Sequence, residues 1–195
     1  MEMSEEKSTA RKYGKFGLMI AVSMVVMYAV MYLHTFELSH VEWSETRFFM
    51  TLLMGASMSA VMLGFMLSMY RNTKLNVAIF VTSAVVFVGA TWLVRSQQTV
   101  GDTAYMDGMI PHHSIAILTS KRAQLEDVRV QKLARGIAET QIKEIAEMQW
   151  LVEDIARNGP ATTEAMAESR PVPAFGPDGK RKNNEERDRT QAAIR

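Results

Sequence analysis

Three stretches of this chain carry no charged residue: residues 16–33, 48–70 and 75–94. A lipid hydrocarbon core about 30 Å thick asks for roughly 20 apolar residues in helical form. Backbone amides cannot stay unpaired in lipid, so a single apolar segment crosses as a helix, never as an isolated strand. The chain is therefore expected to be an all-α membrane protein with three transmembrane helices. A cleaved signal peptide is the rival reading of the first stretch. It is disfavoured because no small-residue cleavage pattern follows; the chain continues Tyr32-Leu33-His34-Thr35-Phe36-Glu37.

The flanking charges predict an orientation. Lys7, Arg11, Lys12 and Lys15 precede the first span, and Arg71 and Lys74 sit between the second and third. The loop between the first two spans has only Arg47, and Arg95 stands alone after the third. Cytoplasmic loops collect Lys and Arg. The tail 1–15 and the second loop are thus expected in the cytoplasm, with the first loop and all that follows Arg95 outside. The organisation reads as a tail (1–15), a three-span domain (16–95), an outer helical domain (96–158) and a disordered tail (159–195).

The outer domain reads as two helices. Asp102 is a plausible N-cap for a helix over 103–124, which Pro111 should kink. Leu125-Glu126-Asp127 makes a tight connection, and Asp127 caps a long amphipathic helix over 128–157. Asn158-Gly159-Pro160 stops it. A short connection makes the pair an antiparallel hairpin. Beyond it lie four of the five prolines among mixed charges, a composition that resists folding, with at best a short helix near 185–194.

Composition removes several function classes. The net charge is +1 with no long basic block, so no nucleic-acid partner is expected. There is no cysteine, which excludes disulfides, thiolate zinc sites and thiol redox chemistry. Methionine is plentiful, 16 residues against four histidines, all four on the expected outer side. In the second span Met50, Met54, Met58, Met62 and Met66 recur every fourth residue, as do Ala56, Ala60, Gly64 and Ser68 on the nearly opposite face. The first span adds Met24, Met27 and Met31. The small series lets helices approach closely in lipid. The methionines read either as adaptable apolar filler or as a thioether seam for a soft metal ion.

Polar residues interrupt the apolar faces of the hairpin. Gln141 and Glu144 fall inside the stripe of the long helix, where a carboxylate must be paired or must ligate something. A half-buried helix with Glu144 at its rim, bonded to a cation, is the plain alternative. On the shorter helix Met106, Met109, Ile110, His113 and Ile117 share a face, with His112 at its edge. Counting outward from the turn sets His113 level with 137–141, and Met106 and Met109 level with Gln141 to Glu144. Imidazole, thioether, amide and carboxylate then converge, a donor set favouring Cu(I) and also open to Cu(II), Zn or Fe. The rival is a pair of structural histidines bonded to Glu144 or to backbone. No HExxH or EF-hand pattern occurs. No Ser/His/Asp constellation or nucleotide loop is evident, so no enzyme is expected. A single hairpin cannot bury both apolar faces, so the outer domain is expected to pair with a second copy as a four-helix bundle.

The run Tyr105-Met106-Asp107-Gly108-Met109-Ile110-Pro111-His112-His113-Ser114-Ile115-Ala116 strongly resembles the signature of the domain of unknown function 305 family. Leu133-Ala134, Ile137, Gln141, Glu144-Ile145 and Met148 match its second helix, and the three spans resemble its membrane-anchored branch. The resemblance implies a ferritin-like fold, of which this hairpin is half a bundle. Some relatives are copper-binding proteins. By that likeness Met109, His112, His113 and Met148 are the implied copper ligands, with Met106, Gln141 and Glu144 as weaker candidates. The implied setting is the cytoplasmic (inner) membrane of a bacterium, with the site periplasmic or extracellular and a copper donor or acceptor protein as partner.

Overall fold

The computed structural model describes residues 2–182. Helices α1 (Glu2–Val30), α2 (Glu45–Phe65), α3 (Thr73–Ser96), α4 (Asp102–Arg122), α5 (Val128–Asn158) and α6 (Glu164–Ser169) follow in order, with a 3-10 turn at Leu38–His40. The segments Glu6–Val30, Glu45–Phe65 and Thr73–Ser96 are long and apolar enough to cross a membrane. The described residues form two compact units. One joins the chain up to Leu33 with Ser44–Gly101; the other joins His34–Trp43 with the residues from Asp102 onward.

In the first unit α2 packs against both α1 and α3. Two departures from the sequence reading stand out. The polar segment before residue 16 is helical and continuous with the first span. The second helix starts at Glu45 and ends at Phe65, so Arg47 lies within it. Ser44 caps it by accepting from Arg47 N at 3.2 Å. The Arg47 guanidinium donates to Met31 O at 3.0 Å and lies 4.4 Å from the centre of the Tyr32 ring, a cation–π contact. At the opposite end Asn72 caps α3 by accepting from Leu75 N. Asn76 donates to Tyr70 O at 2.6 Å and accepts from the Tyr13 hydroxyl at 2.6 Å.

Four methionines of this unit pack on its core, whereas Met19, Met50 and Met69 are exposed. Met24, Met58, Met62 and Met66 pack on a core of Phe16, Ile20, Leu63 and Tyr70. The close approach permitted by small residues falls at Gly55 and Ala56, both buried. A Cβ on Gly55 would collide with Met24 Sδ. Gly64 and Ser68, the far end of the small-residue series, are exposed.

In the second unit α4 and α5 pack as the expected antiparallel hairpin. Its core is Met106, Ile110, Ile117, Ile145 and Met148, joined by partly buried Phe36, Met109, Ile142, Leu151, Val152 and Ile155. Ile110 and Ile117 are 1% and 0% exposed, and each such burial contributes about 1.5–3 kcal/mol. Helix α4 continues through Pro111, which lies inside it. Asp127 caps α5 as expected, accepting from Arg129 N at 2.8 Å.

Residues 159–182 carry more structure than their composition suggests. Arg170 pairs with Asp154 at 2.8 Å, both largely shielded, and donates to Gly159 O at 3.2 Å. Phe175 and Arg181 form an antiparallel bridge around a turn. At its tip Gly179 has φ +75°, and a Cβ there would lie 3.2 Å from Ile142 Cγ2. This segment therefore lies back along α5. The helix expected near 185–194 falls outside the described residues.

Candidate functional site

Hairpin register decides which polar groups meet. The connection after α4 does not close as a tight turn. Its five residues, 123–127, lie along the first turn of α5, where Gln131 Nε2 donates to Leu125 O at 2.8 Å. On the first turns of α5 Ala134 and Ala138 are buried, whereas Val128, Val130, Leu133 and Ile137 are exposed. His113 then faces Glu144 rather than residues 137–141, with Nδ1 3.8 Å from Oε2. Met106 shares one core with Ile145 and Met148, and Met109 packs on that core together with Ile142 and Leu151. Counting from the turn was one to two helical turns out because it assumed a connection of negligible length.

The rung formed by His113 and Glu144 holds an unsettled group. Gln141 Nε2 donates to the same Glu144 oxygen at 3.2 Å. The His113 ring nitrogen, at 3.8 Å, is beyond hydrogen-bonding distance. Nδ1 is buried and has no hydrogen-bond partner. Burial pushes the His113 pKa below its usual 6.5; the Glu144 carboxylate pulls the other way and His112 adds a smaller depression. The ring is therefore neutral at pH 7, the state in which an imidazole ligates metal.

The next rung is made of sulfur. Met109 precedes His113 by one turn on α4 and Met148 follows Glu144 by one turn on α5, so in an antiparallel pair these two methionines stack beside the His113–Glu144 rung. Met106 and Met148 are buried within the core and Met109 packs on it. His113, Glu144, Gln141, Met109 and Met148 are thus gathered, with Met106 deeper. His112 is exposed, its ring centre 6.1 Å from that of His113, and is not drawn into the rung. Among the described residues no three His, Asp or Glu side chains cluster as a hard-metal site would need. The donors present are one imidazole, one carboxylate and thioethers, a set that fits a soft cation of low coordination number. The orphaned Nδ1 is the atom such an ion would satisfy.

His40 of the first loop meets Ser114 of α4, a residue the sequence does not single out. Ser114 is 0% exposed. Its Oγ accepts from Phe36 N at 2.7 Å and lies 2.9 Å from His40 Nδ1. The other ring nitrogen of His40, Nε2, faces Glu37 at 4.0 Å. The line Ser114–His40–Glu37 mimics a nucleophile arrangement, but a hydroxyl without solvent access attacks nothing. It is a joint that seats the first loop on α4. Burial lowers the His40 pKa, with Glu37 opposing. Glu42 of the same loop and Asp107 of α4 are both raised by burial, Glu42 also by the Asp107 charge. A serine following two histidines gives no sequence signal for this role.

The architecture defines a class: a protein with three membrane-spanning-type helices and a helical hairpin unit bearing a His/Met cluster. The family described as "Domain of unknown function (DUF305)" matches residues 98–193. The chain is 33% identical over 140 residues to "Uncharacterized protein L153" of Acanthamoeba polyphaga mimivirus, an alignment spanning 70% of this chain and 90% of that protein. That alignment is longer than the family match and reaches into the span region. No solved structure matches. The chain belongs to the DUF305 family.

Proposed function

We propose that this chain is a membrane-tethered metal-binding protein whose cargo is copper, taken as Cu(I) by His113 Nδ1 with the thioethers of Met109 and Met148. Glu144, oriented by Gln141, stands beside the ion and balances its charge. His112 serves at the rim as an entry ligand. One observation carries the reading: a buried imidazole nitrogen without a hydrogen-bond partner, one helical turn from the thioether of Met109. The hairpin faces the periplasm or cell exterior of a bacterium, buffering the metal or passing it to a donor or acceptor protein. The orientation is supported by the basic residues of the tail and second loop. It is supported too by the first loop and the hairpin sharing one compact unit, which requires one side of the membrane for both.

A second reading has its own support. The exposed Val130, Leu133 and Ile137 form an apolar stripe near the start of α5. In that reading the hairpin pairs with a second copy as a ferritin-like four-helix bundle and needs no metal. The two are separated by titrating the full chain in detergent with Cu(I) against a competing chromophoric chelator. Copper binding predicts saturable uptake that His113→Ala abolishes and His112→Ala only weakens. Glu144→Gln should cost about 10–100-fold in affinity, as outer partners of metal ligands do. Equal affinity in a His112→Ala/His113→Ala double variant, or no uptake by wild type, would leave the pairing module standing.

A further inference from the structure

The three-span unit carries a crevice between its first and third helices. Helices α1 and α3 flank α2, and at one end a polar bar joins them. The Tyr13 hydroxyl donates to Asn76 Oδ1 at 2.6 Å and lies 3.3 Å from Asn72 O. From that bar a space of about 360 Å³ runs along the bundle, past Phe16, Gly17 and Ile20 of α1 and Ile79 and Thr82 of α3, with Ser59 of α2 among its walls. Seven residues separate Tyr13 from Ile20, so its length is about two helical turns. Its floor is buried, with Phe16 3% and Ser83 7% exposed. Gly17, Leu75, Ala78 and Thr82 on its rim are exposed. The crevice therefore opens sideways, onto lipid.

Positive charge gathers around the bar. Lys12 and Lys15 adjoin the wall residues Tyr13 and Phe16 along α1. Arg71 adjoins Asn72, and Lys74 adjoins the wall residue Leu75. None of these four cations forms an ion pair among the described residues. Lys7 and Arg11 stand further out on α1, against Glu2, Glu5 and Glu6. Long basic side chains beside a span reach outward to the headgroup layer. Each one near the surface strengthens attraction to anionic lipid about fivefold. An apolar slot open to lipid, with unpaired cations at its headgroup end, has the two-part form of an anionic phospholipid. A second copy of the chain inserted the same way round would bring its own cations to the same level and be repelled there.

We propose that the span unit holds one anionic phospholipid, with an acyl chain lying in the α1/α3 crevice and the phosphate at the end marked by Lys12, Lys15, Arg71 and Lys74. The Tyr13–Asn76 bar marks the boundary between the two parts. Cations on its outer side face the phosphate, and the apolar walls on its inner side face the acyl chain. Gly17 keeps the slot open. Nothing lies within 4 Å of a Cβ built there, so a large side chain at this position fills the space without displacing a neighbour. The lipid is then a fixed part of the bundle, covering the gap that α2 leaves between its two partners. It is independent of the metal reading of the hairpin and of any pairing of hairpins.

Native mass spectrometry of the full-length chain in detergent tests this, because it reads bound lipid by mass. The protein is titrated with dioleoyl phosphatidylglycerol and, separately, with dioleoyl phosphatidylcholine, which carries the same acyl chains. A single phosphatidylglycerol per chain is expected, held at least about tenfold more tightly than phosphatidylcholine. Gly17→Leu fills the slot and should weaken phosphatidylglycerol binding by about tenfold or more. Leucine is a better helix former than glycine, and unchanged helicity by circular dichroism verifies that this variant is folded. Lys12→Gln/Lys74→Gln keeps the slot and removes two contributions of about fivefold each, so the two lipids should bind it near parity. Equal binding of the two lipids by wild type overturns the proposal. Full phosphatidylglycerol affinity in Gly17→Leu overturns it in favour of a basic surface without a slot. An undiminished preference in the lysine variant overturns the placement of the phosphate.

Discussion

Replacing Ser114 with alanine is the sharpest test of how the hairpin unit is assembled. The hydroxyl is fully buried, accepts from Phe36 N at 2.7 Å and lies 2.9 Å from His40 Nδ1. Alanine fits the same space but leaves two polar groups without their partner. A buried donor or acceptor stranded in this way costs about 1–3 kcal/mol. Phe36 is half-buried, so its amide recovers some solvation; His40, 8% exposed, recovers little. The sum expected is about 2–4 kcal/mol, borne by the docking of residues 34–43. The α4/α5 core of Ile110, Ile117 and Ile145 contains neither group and stays packed. Hydrogen exchange read by mass spectrometry on the full chain in detergent separates these outcomes. Peptides covering Phe36 to His40 should exchange faster by at least about thirtyfold, since two kcal/mol is a factor of that size, while α5 peptides keep their protection. Unchanged exchange across the loop in Ser114→Ala would refute the argument, and so would a uniform loss across α5.

The remaining expectations concern pH and the span contacts. The folded-state pKa values of His40 and His113 are depressed mainly by burial, so their contribution to stability is complete above 6.5, the unfolded value, and is lost as pH falls through the lower folded values. Glu42 and Asp107 are raised by burial, so their contribution has the opposite sense: it is present at acid pH and lost as pH rises through their raised values. Thermal unfolding followed from pH 8 to 4 should show the midpoint falling below about pH 6.5 and part of the loss returning nearer 4.5, the ordinary value for Glu42; a midpoint rising between pH 7 and 5.5 would count against the burial of both rings. In the spans, Gly55→Leu should destabilise the α1/α2 packing by about 1–3 kcal/mol, because the added atoms take the place of Met24. Adding Met24→Ala should restore most of it, and additivity of the two changes in a detergent unfolding series would show that they do not touch.

Much of this protein was legible locally. Apolar runs of span length, the 3.6-residue period of the long amphipathic helix and its stop at Gly159 depend only on neighbours along the chain, as does the cap at Asp127. The faces of three residues were legible too: His113, Met109 and Met148 point inward as their spacing implied, whereas the Glu144 side chain, 41% exposed, lies at the rim. The level at which they meet was not. It turns on the path of residues 123–127, and a five-residue connection laid along a helix shifts the partner by more than a turn. Nor could sequence say that residues 34–43 belong with the hairpin, or that Ser114 and His40 are buried against each other. Nothing in a serine or a histidine marks which one loses its water. Which small residue makes a close contact was equally hidden: Gly55 meets Met24, whereas nothing lies within 4 Å of a Cβ built on Gly64. The sequence by itself determined which segments are helices and which face of each is apolar, because a helix answers to its own residues. Register, docking and desolvation were decided only by the tertiary structure, because each is a contest between distant segments for the same buried surface.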